Sequence, residues 1–96
     1  MIKSRVGIVG STRRVGNLLI DSLIDDEVLT LGVVHVFDDL KRELPKDVLI
    51  TNSMSELLKN CDIVIDFSAP DATQELCEMA LLNPTPLVIE IGRAHV

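Results

Sequence analysis

The residues best suited to chemistry lie in two short stretches. In the first, Val6-Gly7-Ile8-Val9-Gly10-Ser11-Thr12-Arg13-Arg14-Val15-Gly16, an apolar run ends at a glycine and a loop with two arginines leads to another glycine. This has the form of a strand, a tight turn and a helix N-terminus. Backbone N–H groups and the positive end of the helix dipole favour an anion at such a place. It is the unit that cradles the pyrophosphate of a dinucleotide. A turn that only needs glycine geometry produces the same pattern, so the stretch is informative only in company. Its company is Val64-Ile65-Asp66-Phe67-Ser68-Ala69-Pro70-Asp71-Ala72, a β-branched run that breaks at Ser68 and restarts as a helix near Pro70.

Positioning those stretches requires an alternating α/β chain. Lys3 to Val9 reads as the first strand, and Gly7 within it permits close approach of a neighbouring helix or ligand. A helix follows from about Arg14 to Asp25, with Val15, Leu18, Leu19, Ser22 and Leu23 as its expected buried stripe. Thr30 to Phe37 is the second strand, continuously apolar enough to be covered on both faces. His35 within it reads as a strand-edge or solvent-facing imidazole. Asp38 to Asp47 is a polar loop, and Val48 to Thr51 a short third strand.

Ser53-Met54-Ser55-Glu56 has the form of a capping box and starts a helix ending at Lys59 or Asn60. Asp62 to Phe67 is the fourth strand. The next helix runs from Pro70 to about Leu82, with Ala72, Leu76, Met79 and Ala80 as its core face, and Leu87-Val88-Ile89 begins the fifth strand. Right-handed crossovers then give a Rossmann-like, doubly wound parallel sheet of order 3-2-1-4-5. Strands one and four become neighbours from which the chain winds in opposite directions. The loops from Gly10 to Gly16 and from Phe67 to Pro70 meet at that switch point, which favours nucleotide binding over a bare turn.

Composition bounds the alternatives. The 96 residues suffice for one small core but not for a nucleotide domain plus a substrate domain. Apolar residues make up 47% and charged residues 25%, the balance of a globular chain. Phe37 and Phe67 are the only aromatics, so the core is aliphatic. A formal charge of −6 argues against nucleic acid or an anionic membrane as partner. No apolar run reaches the ~20 residues of a membrane span. No secretory signal is recognisable, and a cytoplasmic protein is expected. Cys61 and Cys77 form no redox or zinc spacing and read as small buried hydrophobes.

The two stretches together resemble the N-terminal domain of the 4-hydroxy-tetrahydrodipicolinate (dihydrodipicolinate) reductase family. The first is similar to the family's Gly-x-x-Gly-Arg-Met-Gly loop. The second is similar to its more specific Val-Ile-Asp-Phe-[Ser/Thr]-x-Pro-[Glu/Asp] signature. The resemblance covers essentially Met1 to Ile89 and implies a pyridine-nucleotide reductase of lysine biosynthesis, with NAD or NADP as cofactor. It implies that Gly10, Ser11, Thr12, Arg13, Arg14 and Val15 wrap the pyrophosphate with backbone amides, with Arg14 alongside the phosphates and Gly16 counted with them as cofactor-binding. Phe67 and Ser68 would border the nicotinamide half. Alternatively Phe67 belongs to the core and Ser68 caps the following helix, while Asp66 anchors loop backbone. Substrate capture is assigned by the resemblance to a second domain, through which the parent protein would form homo-oligomers. This chain is then expected to be inactive alone, with no catalytic residue of its own; the competing account is a free-standing nucleotide-binding or regulatory module.

Three departures from the family pattern stand out. Arg13 occupies the second glycine slot, where it either crowds the phosphate or pairs with it. Asp38 falls slightly late for the acid that holds the adenosine ribose. Either it reaches the 2′-hydroxyl and favours NAD, or it is only a loop residue; Lys41 and Arg42 follow it without forming a dedicated phosphate cluster. Finally, where the family continues from strand five into Gly-Thr-Thr-Gly, this chain reads Glu90-Ile91-Gly92-Arg93-Ala94-His95-Val96. The codons ATC GGA AGA GCA CAC GTC of a common sequencing adapter translate as Ile-Gly-Arg-Ala-His-Val, and TGA follows them. Residues 1–89 are therefore expected to be the nucleotide domain, and 90–96 a non-native tail.

Overall fold

In a computed structural model, residues 4–10, 14–37 and 42–89 are described, Arg14 by its backbone. Strand β1 (Ser4–Val9) leads to helix α1 (Arg14–Ile24) and strand β2 (Leu29–His35). Strand β3 (Leu49–Thr51), helix α2 (Met54–Lys59), strand β4 (Ile63–Asp66), helix α3 (Pro70–Leu82) and strand β5 (Leu87–Ile89) follow. All strand pairs are parallel, in the order β3-β2-β1-β4-β5. The topology expected from right-handed crossovers is the one found.

Each face of the sheet buries its own aliphatic layer. Val9, Val33 and Val64 meet Met54, Leu57 and Leu58 of α2 and Ala72 and Leu76 of α3. Val6, Ile8, Leu31 and Val34 meet Ile20 and Leu23 of α1. Leu31 and Val34 lie three apart yet share a face. Strict alternation forbids that, and an extra residue resolves it: Val6 pairs with Leu31 but Gly7 with Val33, leaving Gly32 as a bulge. Arg5 covers the bulge, its guanidinium donating to Gly32 O at 3.2 Å and to Asn60 O at 3.1 Å. A Cβ on Gly32 would stand 3.0 Å from that guanidinium.

Helix α1 turns a different side to the sheet from the one expected. Gly16, Ile20 and Leu23 are buried and Leu19 half-buried, whereas Val15 is 52% and Leu18 60% exposed, and Ser22 is exposed. Several apolar stripes fit an eleven-residue helix this rich in Val, Leu and Ile. The stripe that includes glycine is the one lying on the sheet. Helix α2 follows its sequence signal, Ser53 Oγ accepting from Glu56 N–H at 3.3 Å. Only half of the box is of the expected kind, because Ser53 N–H goes to Thr51 Oγ1. Helix α3 buries Ala72 and Leu76 and half-buries Met79 and Ala80, as its spacing implied.

The cysteines differ from expectation in part. Cys61 is half-buried beside α2, and burial together with the Asp62 carboxylate pushes its thiol up to about 11. It is unreactive at neutral pH. Cys77 is exposed, because α3 turns it away from Ala72 and Leu76.

Gly7 marks the tightest helix–sheet approach. A Cβ there would stand 2.9 Å from Cys61 Sγ, 3.0 Å from Leu57 Cδ1 and 3.1 Å from Val33 Cγ1. Overpacking of a filled core costs about 1–3 kcal/mol. Gly7→Ala is expected to lower the urea midpoint accordingly, and adding Cys61→Ala to recover part of the loss.

Candidate functional site

The carboxyl ends of β1 and β4 lie side by side, with Val9 registered on Asp66, and the chain leaves them toward opposite faces. Gly10 has φ +91°, in the left-handed region that favours glycine. A Cβ on it would stand 2.7 Å from the Phe67 carbonyl carbon and 2.8 Å from Phe67 O and Ser68 N. Phe67 N–H donates to Val9 O at 2.8 Å, which holds the two turns together. Both glycine properties, conformation and size, are needed at this position.

Asp66 supports the second turn from below. Its side chain is fully buried. Ser68 N–H donates to Oδ1 at 2.8 Å, the Ser68 hydroxyl bonds the same oxygen, and the Thr73 hydroxyl of α3 donates to Oδ2. Asp66 thus anchors loop backbone, as its place in the sequence suggested. Ser68 does not cap α3, because Ala69 occupies the N-cap with no side-chain bond and the Ser68 hydroxyl turns to Asp66 instead. Phe67 is half-buried and belongs to neither core layer.

The other site candidates separate. Val15 is exposed at the start of α1, and Gly16 is buried within it. Ser11, Thr12, Arg13 and Asp38 lie outside the described residues, as does the side chain of Arg14. Arg42 crosses to α1, donating to Asp21 Oδ1 at 2.8 Å and Asn17 Oδ1 at 3.4 Å. Its charge therefore already faces a carboxylate.

His35 corrects the expectation of an exposed imidazole. It is 1% exposed. The bulge at Gly32 sets the parity of β2, so His35 follows Val33 onto the α2–α3 face. His35 registers with Val9 on one side and Thr51 on the other, completing a row Thr51–His35–Val9–Asp66–Ile89 across the carboxyl edge of the sheet. The Phe37 ring meets it edge-on, with centroids 4.8 Å apart. Sequence reasoning missed both this burial and Thr73. The continuous apolarity of β2, which implies cover on both faces, was the available signal for His35; Thr73 carried none beyond its place in the first turn of α3.

Among the described residues no group of His, Cys, Asp and Glu could hold a metal ion. No helix among them is long and apolar enough to cross a membrane.

A parallel 3-2-1-4-5 sheet, covered on both faces and with a glycine turn at its switch point, defines a Rossmann-like nucleotide-binding domain. Residues 4–91 match the family described as dihydrodipicolinate reductase, N-terminus, and the chain belongs to that family. The 4-hydroxy-tetrahydrodipicolinate reductase of Sulfurovum sp. (strain NBC37-1) is 64% identical over 86 residues, covering 90% of this chain and 34% of the relative. That of Aliarcobacter butzleri (strain RM4018) is 45% identical over 87 residues, covering 88% and 34%. The chain spans about a third of the length of these relatives. Among solved structures, dipicolinate-bound dihydrodipicolinate reductase from Paenisporosarcina sp. TG-14 superposes with a TM-score of 0.81 at 20% identity, over 94% of this chain and 38% of that one.

Burial holds His35 below its ordinary pKa of 6.5, against the opposing pull of an Asn52 backbone hydrogen bond and the Glu75 and Asp66 carboxylates. The unfolded chain therefore takes up a proton before the folded one as pH falls. Stability is expected to be full above about pH 7, to decline as pH drops through about 6.5, and to stop declining on this account once folded His35 is charged. Urea midpoints between about pH 8 and 5.5 measure this, and His35→Leu should flatten the slope in that window.

Proposed function

We propose that the chain is the NAD(P)H-binding N-terminal portion of a cytoplasmic 4-hydroxy-tetrahydrodipicolinate reductase. The observation that carries this reading is Gly10, at φ +91° and stacked on the Phe67–Ser68 peptide at the β1/β4 switch point, in a chain of this family. A side chain there would push the Phe67–Ser68 peptide away from the turn after β1; with glycine the two turns meet backbone to backbone, which fits the close approach that a dinucleotide's pyrophosphate needs. Gly10 and the backbone from Ser11 to Gly16 would hold the pyrophosphate, aided by the α1 dipole. Arg13 and Arg14 would bring positive charge to a chain of net charge −6. Asp38 would meet the adenosine ribose, and Phe67 and Ser68 the nicotinamide half. When bound, the cofactor supplies the hydride; the residues of this chain bind and orient it.

Substrate capture and the protonation that completes reduction of a cyclic imine belong, in this reading, to the remainder of the parent reductase, which also carries its oligomer contacts. Titration of the purified chain with NADH and NADPH is expected to give saturable binding of at least one of them. Addition of the imine substrate should give no oxidation of NAD(P)H. Failure to bind either nucleotide would overturn the cofactor reading, and a steady rate of oxidation would overturn the division of labour.

We further propose that Ile91 to Val96, and part of the Glu90 codon, belong to a non-native tail, on the strength of the codon match over residues 91–96. Sequencing the locus in source DNA beyond the codon for Ile89 should find the frame continuing into Gly-Thr-Thr-Gly. Genomic codons for Ile91 to Val96 followed by a stop would refute the assignment and favour a stand-alone nucleotide-binding module.

A further inference from the structure

We propose that Asp66 and Thr73 are positioning residues that preset the Phe67–Ser68 turn for the nicotinamide half of a dinucleotide. The inference rests on the nucleotide-binding reading and goes beyond it by assigning two residues that need not touch the ligand. A carboxylate with no exposed surface is costly unless its oxygens are bonded. Both oxygens of Asp66 are bonded, and every partner among the described residues belongs to the turn or to the helix that follows it. Ser68 N–H and the Ser68 hydroxyl share Oδ1, and the Thr73 hydroxyl takes Oδ2 while lying 3.4 Å from Ser68 Oγ. The ring closes on itself through three side chains.

The same peptide is gripped from two sides. Below it, the Asp66 carboxylate holds Ser68 N–H in an Asx-type turn. Above it, Phe67 N–H is bonded to Val9 O, and Gly10 lies against the Phe67 carbonyl. The start of α3 contributes no side-chain cap that would fix the turn instead. Asp66 is anchored in the sheet by its register with Val9 and Ile89, and Thr73 in α3 by Thr73 N–H to Ala69 O at 3.1 Å. The pair therefore ties the height of the turn above the sheet to rigid elements on both sides. The Ser68 hydroxyl is spent inward on Asp66, so its part is also to hold the turn.

The geometry predicts a split between ligands. The Gly10 turn would serve the pyrophosphate, which NADH and ADP-ribose share; the Phe67–Ser68 turn would serve the nicotinamide ring, the one part of NADH that ADP-ribose lacks. Thr73→Val keeps the shape of the side chain and removes the donor to Oδ2. The expected result is a weakening of NADH binding by about tenfold, the scale of a lost hydrogen bond to a buried charge. ADP-ribose binding should change less than about twofold on the same argument, because its contacts lie on the other turn. Thr73→Ser should restore NADH affinity, and amide exchange at Ser68 should accelerate in Thr73→Val without ligand.

Equal losses for both ligands would mean general loosening and would overturn the proposal, as would no loss for either. If Thr73→Val does not fold, Ser68→Ala removes the second bond to Oδ1 together with that hydroxyl's longer contacts to Thr73 Oγ1 and Ala69 O, and is expected to show the same split more weakly; its absence there refutes the proposal. If the original chain binds ADP-ribose but not NADH, the positioning role fails while pyrophosphate binding stands. If it binds neither, the nucleotide-binding reading itself fails and takes this one with it.

Discussion

Two backbones meet at the carboxyl ends of β1 and β4 with no side chain between them, and the candidate site depends on that approach. Gly10 can lie against the Phe67 carbonyl because it has no Cβ and because its φ of +91° carries no steric cost. The contact joins the turn after β1 to the turn before α3, although α1 and α3 cover opposite faces of the sheet.

The sheet beneath is adjusted to allow this. Two aliphatic layers must be filled, and β2 contributes to both only because the Gly32 bulge resets its alternation. The bulged carbonyl is not left bare, since Arg5 donates to it while bonding Asn60 O at the far edge of β1. Gly7 lets α2 descend onto the sheet next to Cys61. Gly7, Gly10 and Gly32 each remove a specific obstruction, and each has a different neighbour to accommodate.

The polar residues of the carboxyl edge divide by how their burial is met. Asp66 has its oxygens occupied by Ser68 and Thr73, so its carboxylate organises the turn. His35, one strand beyond Val9, lies in the same row but within an environment that disfavours its charged form. One group gives the edge a fixed shape; the other makes the stability of the fold sensitive to pH.

Much was determined by the sequence itself. The strand–turn–helix around Gly10, the parallel order 3-2-1-4-5, the Ser53 cap, the core face of α3 and the anchoring part of Asp66 all follow from local spacing and turn chemistry. The family resemblance in the Asp66–Ala72 stretch was legible for the same reason, since the stretch is a local pattern. Tertiary structure decided the rest. The side of α1 that faces the sheet was open because several stripes of comparable apolarity exist, and packing selected the one containing Gly16. His35 is buried because β2 lies inside the sheet with both faces covered, and the Gly32 bulge, which only the partner strand defines, sets which face it takes. Thr73 acquired its role only when α3 folded back over β4 and brought its hydroxyl to a carboxylate seven residues earlier. Periodicity is a property of one segment, whereas facing and polar pairing are properties of two segments in contact.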